Sequence, residues 1–528
     1  MQTVARQFCI KVMVTKNDPI IARDGALQSP WQAGLNPGGR QNLFQADAVY
    51  DVLVIGAGIT GMTAALLLQN AGRKVLIADS HTPGFGTTGG TSAHINTFAD
   101  TTYKEAESAF GKEGAQVFAD AVNEGFGLIK ANIRTYRIDC DFEPKTGYVY
   151  AEDDEQADQL DDIYEGAKAV GVSLNYTIEV PTPLAFQTAL EFPGQAQFHP
   201  LKYLQALASA FTVAGGVIME NTKIETLEKE ADIHVGLAGE VQVKARNIIY
   251  ATHIPPGINS YSLRCAPYRS YVLGVKLKTD TYPDALVYDM QEPYHYFRTH
   301  VIGGEKLLIA GGNDHKTGHD DPEAAFADLE KYVRKHYNVS SVKYQWSSQY
   351  YVPVDGFPYI GQMPEASKGV FCATGYNGNG MMLGTIAGKI LSDLIQGKAS
   401  KYEKIFSPSR LKPLAGFTAF VQENADVAYH FVADRFNIHE TDSLKRLQPG
   451  TGKVVEVDGK KIAAYRDDQG EIFALSPVCT HAGCIVNWNG EEKSWDCPCH
   501  GARYDIRGQV LTGPAVLPLR TLDLESHE

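Results

Sequence analysis

The stretch "CTHAGCIVNWNGEEKSWDCPCH", residues 479–500, crowds six metal-binding side chains together in a chain of 528 residues with only 8 cysteines and 15 histidines. Cys479 and His481 form C-x-H, and Cys497 and His500 form C-x-x-H, so two loops each offer one thiolate and one imidazole. Such loops fit a pair of sulfide-bridged irons, both cysteines on one iron and both histidines on the other. Neutral imidazole in place of thiolate eases addition of an electron and lifts the potential to about −150 to +300 mV. A tetrahedral zinc would use the same four groups. The other four cysteines, Cys9, Cys140, Cys265 and Cys372, stand singly and read as small hydrophobes.

A second chemistry-bearing pattern opens at Tyr50. "DVLVIG" reads as a strand, "GAGITG" as a turn, "MTAALLLQNAG" as a helix closed by Gly72, and "KVLIADS" as a second strand. Gly56, Gly58 and Gly61 have G-x-G-x-x-G spacing, which serves a tight turn, close approach of a pyrophosphate and close packing of helix on strand. The helix N-terminus favours the phosphates, and Asp79 ends the second strand where a ribose diol would bond. Ile59, Thr60 and Ser80 belong to the same cradle. "GFGTTGGTSAHIN" (84–96) adds Gly86, Thr91 and Ser92, and "ATGYNGNGMMLGTIAGKIL" (373–391) adds Gly378, Asn379, Gly380 and Met381 at a helix N-terminus suited to an electron-rich ring oxygen. "GGNDHKTG" (311–318) has no suitable helix after it and reads as a turn. The turn alone does not decide between FAD and NAD; with no second nucleotide fingerprint a separate NAD(P)H domain is not expected, which favours an organic donor giving its hydride directly where the dinucleotide is a flavin.

These segments, with "FHPLKYLQAL" (198–207), "NIIYATHIP" (247–255, with Ala251 and Thr252) and "DGFPYIG" (355–361), resemble the D-amino-acid oxidase-like superfamily of FAD enzymes, of glycine oxidase and sarcosine oxidase type. The resemblance runs from about residue 45 to 400. It implies FAD, an α/β Rossmann-like FAD-binding domain assembled from separated segments, and an α+β substrate domain over a large antiparallel sheet. Asp79 stands where the family usually has Glu. The family's carboxylate-binding arginine points to Arg298, with Tyr296 beside it in "YHYFRT" (294–299), as catalytic-site contacts; an arginine paired on the sheet is the plainer reading. His94 and His253 read as structural.

"CTHAGC", "CPCHG" and "GPA" (513–515) resemble the Rieske domains of cytochrome bc complexes. That resemblance implies a Rieske 2Fe-2S cluster on Cys479, His481, Cys497 and His500, and a disulfide between Cys484 and Cys499 tying the loops together. Ala502 replaces a serine that often bonds a bridging sulfide, whereas Tyr504 is retained; a lower potential is expected than in high-potential members. Ala482 replaces a bulkier residue, so a more open cluster is expected. The alternating "GKVVEVDGKKIAAYRDDQGEIFAL" (452–475), with its hairpin turns, reads as a small all-β domain. The whole chain resembles bacterial fusions of a glycine oxidase-like FAD module with a C-terminal Rieske domain.

Placing these motifs divides the chain into a loose arm (1–45), a discontinuous FAD-binding domain (46–98, 195–260 and 350–400), a substrate domain (99–194 and 261–349), a connector with a packing helix (401–447, the helix over 417–436), and a Rieske domain (448–528). Met13 is an alternative start. The formal net charge of −14 argues against nucleic acid as a partner. No apolar run is long enough to span a bilayer, and Arg6 and Lys11 interrupt any signal core, so the sequence reads as cytoplasmic without a transmembrane segment. The acidic "EDDEQADQLDD" (152–162) reads as a solvated helix face. The expected activity is oxidation of a small amine or amino-acid-like donor by hydride transfer to FAD. Electrons then leave singly through the cluster to a protein or quinone acceptor. The alternatives are a flavo-iron-sulfur relay between protein partners and a zinc-stabilised binding domain. A Rieske oxygenase, for which "HKTGH" (315–319) offers two histidines, would need an iron domain after the Rieske segment, and too few residues follow.

Overall fold

Val, Leu and Ile fill β1 (Val49–Ile55) on both faces, as expected of a strand covered by helices on each side. In the computed structural model, which describes residues 23–33, 44–410, 426, 430, 444–457 and 459–523, β1 lies mid-sheet. It pairs in parallel with β2 (Val75–Ala78) and with Val241–Tyr250. Parallel strands Val217–Met219 and Val370–Thr374 extend the sheet on either side, and Tyr359–Gln362 adds an antiparallel edge. Between β1 and β2 runs α1 (Ile59–Asn70), buried from Ile59 to Leu66, against the similarly buried helix Gly380–Ile395. This is the Rossmann-like arrangement, gathered from three stretches of chain.

The second sheet has nine strands, nearly all antiparallel, including Cys265–Leu277, His295–Ile302, Glu305–Lys316 and Val339–Pro353. Alternation decides its two faces. Tyr271, Leu273 and Val275 pack against Phe326, Leu329 and Val333 of the amphipathic helix Pro322–His336. Tyr268, Ser270 and Val272 face the other way, into a cavity. "GGNDHKTG" is not simply a turn: residues 311–316 continue a strand, with Gly312 opposite both Tyr271 and His295. Gly311 is small because a Cβ there would fall 2.2 Å from the Tyr296 ring. Helix Asp154–Ala169 carries the acidic run on an exposed face, capped by Asp153.

The C-terminal region contains two small antiparallel sheets, Thr451–Val457, Lys460–Arg466 and Ile472–Leu475 in one, and Asn487–Asn489, Ser494–Asp496, Arg503–Tyr504 and Val510–Thr512 in the other. Met13 and the helix expected over 417–436 lie outside the described residues, except for the helical Asp426 and His430. Among the described residues no helix is long and apolar enough to cross a membrane.

The expected loose arm is corrected over its described part. Arg23, Asp24, Ser29 and Trp31 are buried, and the Trp31 indole donates to the Thr91 carbonyl at 2.6 Å. Arg23 pairs with Glu492 at 3.0 Å, Arg269 with Glu492 at 3.3 Å, Arg503 with Asp24 at 3.2 Å and with Asp496 at 3.0 Å. Three guanidinium groups and three carboxylates thus join the arm, the large sheet and the C-terminal domain. Local composition misled because the pairs that tie the arm to the rest, Arg23 with Glu492 and Asp24 with Arg503, join residues hundreds of positions apart, whereas Arg23 with Asp24 and Arg503 with Asp496 are local. Burial alone would raise the Glu492 carboxyl, but Arg23, Arg269 and Arg503 overcome it and push it down to about 2. Glu492→Gln, which leaves a guanidinium uncompensated, should destabilise the protein by about 3–5 kcal/mol. Thermal unfolding would show an earlier transition.

Candidate functional site

A cavity of about 760 Å³ runs along the C-terminal ends of the parallel strands and beneath the large sheet. Its floor is the glycine turn after β1. Gly56 has φ 105°, and a Cβ there would lie 2.4 Å from the Ala251 carbonyl oxygen; one at Gly61 would lie 2.0 Å from the Gly56 oxygen. Only glycine permits these approaches, so backbone rather than side chain faces the space. Gly56, Gly58, Ile59, Thr60, Asp79, Ser80, Gly86, Thr91, Ser92, Ala251, Thr252, Gly378, Asn379, Gly380 and Met381 all line the cavity. Gly61 does not; it packs helix against turn. Asp79 lines the cavity while accepting from the Ala57 and His81 amides at 2.7 and 2.8 Å, which braces the turn and leaves further lone pairs for a ribose. This narrow, backbone-floored cavity fits the dinucleotide of FAD.

Beyond those motifs the cavity widens under the sheet. Tyr268, Ser270, Tyr288, Tyr296, Asp314, Ser348 and Tyr350 come from its strands, with Tyr288 directly beside Tyr296, and Tyr294 and Asp100 come from loops. Tyr296 lines this chamber, its hydroxyl 3.1 Å from that of Ser270. Arg298 does not. Its guanidinium is fully buried and donates to the carbonyls of Ser92 at 2.9 Å and Ala93 at 2.6 Å, and Nη2 lies 2.8 Å from His300 Nδ1. Burial brings its pKa down to about 9. The residue braces the 92–93 backbone ahead of His94 and Asn96 instead of presenting charge to a ligand. His94 lines the chamber with Nδ1 2.5 Å from the Tyr288 hydroxyl, and burial holds it neutral. His253 Nδ1 lies 3.3 Å from the Thr87 hydroxyl.

The two cysteine- and histidine-bearing loops face each other at the C-terminal domain's inner end. Cys484 and Cys499 form a disulfide, leaving Cys479 and Cys497 as buried free thiols. The His481 and His500 rings stand edge to face, 4.8 Å apart. Nδ1 of His481 and both ring nitrogens of His500 are buried without a hydrogen-bond partner among the described residues, an arrangement tolerable where they serve as ligands. The donor set therefore fits a mixed-ligand 2Fe-2S cluster. The Tyr504 hydroxyl lies 3.2 Å from Cys479 Sγ, and Ala502 is fully buried with no side-chain donor to offer. Ala482 is exposed, but the histidines are not: His481 and His500 are 8% and 5% exposed, covered by the FAD-binding side of the protein, where the Ser262 hydroxyl lies 3.4 Å from His481 Nε2. The openness expected from Ala482 therefore does not extend to the histidine side.

One strand connects the two places. Along Val339–Pro353, Ser348 and Tyr350 point into the chamber, whereas the Tyr351 hydroxyl donates to the carbonyl of His500 at 3.3 Å. Gln349 reaches both: it lines the cavity and its amide donates to the Gly501 carbonyl at 3.0 Å. Gln349, Tyr351, Asp100, Asp314 and Glu492 were missed by sequence reasoning. Their partners are distant in sequence, and the only local hint was strand alternation around 345–353. His315 and His319 diverge: His315 Nε2 lies 2.7 Å from the Tyr271 hydroxyl and His319 Nε2 3.2 Å from the Pro498 carbonyl.

Residues 51–394 match the family described as FAD dependent oxidoreductase, and residues 437–523 match the Rieske [2Fe-2S] domain. The chain is 34% identical over 485 residues to the Rieske 2Fe-2S iron-sulfur protein YhfW of Bacillus subtilis, covering 91% of this chain and 95% of that one. It is 22% identical over 408 residues to gamma-glutamylputrescine oxidoreductase of Escherichia coli, covering 74% and 93%. In fold it is similar to glycine oxidase from Geobacillus kaustophilus, with a TM-score of 0.58 and 20% identity over 69% of this chain and 99% of that one. The first domain binds FAD and the last a 2Fe-2S cluster. Hydrogen bonds to ligand sulfur stabilise the more negative reduced cluster. Removing one worth about 1 kcal/mol by Tyr504→Phe should lower the cluster potential by about 40 mV. A redox titration followed by electron paramagnetic resonance measures the shift, and Cys497→Ala should abolish that signal while leaving flavin absorption in place.

Proposed function

We propose that this chain, which belongs to the FAD-dependent oxidoreductase family and ends in a Rieske [2Fe-2S] domain, oxidises a small amine or amino-acid-like donor and delivers the electrons singly to an acceptor outside the chain. Bound FAD supplies a two-electron acceptor, and the cluster a one-electron exit. The donor's C–H bond breaks with its electron pair leaving as hydride, the nitrogen releases its proton, and an imine results. The chamber's residues hold the donor out of water, with Tyr296, Tyr288 and Tyr350 walling it and the 92–96 backbone, braced by Arg298, forming one side.

The observation that carries this reading is the shared strand. Gln349 touches both the cavity and the backbone one residue past His500, so a single strand separates the donor chamber from the cluster loops. Relatives and structural neighbours named for amine and amino-acid chemistry, gamma-glutamylputrescine oxidoreductase and glycine oxidase, support the donor class. A relay between protein partners alone would leave the tyrosine-walled chamber beyond the dinucleotide motifs without an occupant.

Anaerobic mixing with a panel of amines and amino acids, following flavin and cluster bands separately, tests the proposal. The expected result is flavin bleaching by at least one donor followed by cluster reduction within the same molecule at a rate independent of protein concentration. A flavin that bleaches while the cluster stays oxidised would overturn it.

A further inference from the structure

We infer that the donor chamber selects a cation without a carboxylate, an alkylamine or N-alkylated amine, and that Asp314 is the residue that holds its ammonium group. The inference rests on the amine-oxidation reading above and narrows its substrate class.

The first ground is the sign of the chamber. Asp314 on the sheet and Asp100 on the opposing loop both line it, and among the described residues no arginine does. The lysine among the lining residues, Lys223, belongs to the dinucleotide end. Its neighbour Thr222 donates its amide to the Asp79 carbonyl at 2.7 Å, and its own ammonium donates to the Val516 carbonyl at 2.6 Å. Arg298, placed by sequence to grip a carboxylate, is committed to the backbone of Ser92 and Ala93. A carboxylate-bearing donor would meet two carboxyl groups whose own ionisation burial already opposes, with no cation among the described chamber residues to balance it.

The second ground is an unfinished carboxylate. Asp314 Oδ2 accepts from the Tyr350 hydroxyl at 2.8 Å. Oδ1 is buried and has no hydrogen-bond partner among the described residues, although its side chain opens on the cavity. An unpaired buried carboxylate oxygen is costly, and a donor group arriving from the cavity would remove that cost. Burial, with Asp100 adding to it, outweighs the hydroxyls of Ser270 and Tyr350 and lifts Asp314 to about 7. The group thus sits where an adjacent ammonium would stabilise its ionised form.

The third ground is the wall. Tyr268, Tyr294, Tyr296 and Tyr350 line the chamber with Asp314, and Tyr288 stands beside Tyr296 on the neighbouring strand. The faces of these rings are the negative ends of their quadrupoles and attract a desolvated cation, which suits an alkylammonium better than an anion. Gly311 deepens the box, since any side chain there would collide with the Tyr296 ring.

Titration of the FAD-loaded full-length protein with non-oxidisable probes tests this independently of turnover. Benzyltrimethylammonium and benzoate are compared by the change each causes in the flavin absorption spectrum. The ammonium should bind at least about tenfold more tightly than benzoate. Asp314→Asn should weaken it by about tenfold or more, and Asp314→Glu should restore most of the loss, with flavin content and the cluster signal unchanged. Equal or tighter binding of benzoate, no spectral response to the ammonium, or an Asp314→Asn protein that binds the ammonium as well as the parent would each overturn the inference. If the ammonium binds as expected and no amine bleaches the flavin, the charge assignment stands and amine oxidation falls. If amino acids bleach the flavin while the ammonium does not bind, amine oxidation in the broad sense stands and this narrowing falls.

Discussion

A carboxylate cannot remain ionised in a protein interior unless cations are fixed around it, and Glu492 meets that requirement with arginines from two separate regions. Arg23 comes from the N-terminal arm and Arg269 from the large sheet, while Arg503, from Glu492's own domain, carries the network on to Asp24 and Asp496. Glu492 also accepts from the Ser347 amide at 3.1 Å, two residues before Gln349. The C-terminal domain is therefore held at one definite place on the sheet. Because every member of the network is buried, its position is set by charge pairing that tolerates little sliding. The cluster loops inherit that register.

Given this anchoring, the two-residue period of a β-strand does the rest. Within Val339–Pro353, even-numbered residues Ser348 and Tyr350 line the chamber and odd-numbered Ser347 and Tyr351 meet the C-terminal domain. A strand buried on both faces normally carries apolar residues on each. Here polar side chains occupy both faces in sequence, "SSQYY", and those of Ser347, Gln349, Tyr350 and Tyr351 each bond a group from another part of the chain. Odd-numbered Gln349 keeps this alternation with its side-chain amide on the Gly501 carbonyl, and it also lines the cavity, where its backbone carbonyl accepts from the Thr87 hydroxyl at 3.0 Å. The local sequence is polar because the strand is the boundary between two functional sites.

This division explains what could be read in the sequence. The dinucleotide turn and the C-x-H and C-x-x-H loops were legible because their chemistry is local: glycines that admit close backbone approach, and ligands a few residues apart. The Rossmann-like and small all-β parts of the fold class followed from strand–turn–helix–strand and from the alternating C-terminal segment, whereas the α+β substrate domain was implied by the family resemblance. The ion network was not legible, since Arg23 and Glu492 lie at opposite ends of the chain and each alone looks like an ordinary surface charge. Arg298 shows the opposite error. Its strand position was suggestive, but its direction depended on the 92–93 backbone folding over it. Asp314 was hidden in "GGNDHKTG", whose glycines look like a turn until Tyr296 is seen to need the space.

The covered histidines constrain how such a cluster can be used. Here His481 and His500 are covered by Ser262 and the strand bearing Tyr351, and the disulfide-linked loops are pinned through Gly501 and Pro498 to Gln349 and His319. On the proposed reading, the histidine side is thus the side that receives electrons, across a fixed contact. The exposed side is marked by Ala482, with Val478 42% and Leu517 64% exposed on the adjoining segments. Thr480 donates its hydroxyl to the Leu517 carbonyl at 2.6 Å, so those segments form one surface. On the same reading an acceptor would approach that surface, and the exposure of Ala482 is then compatible with the burial of the histidines.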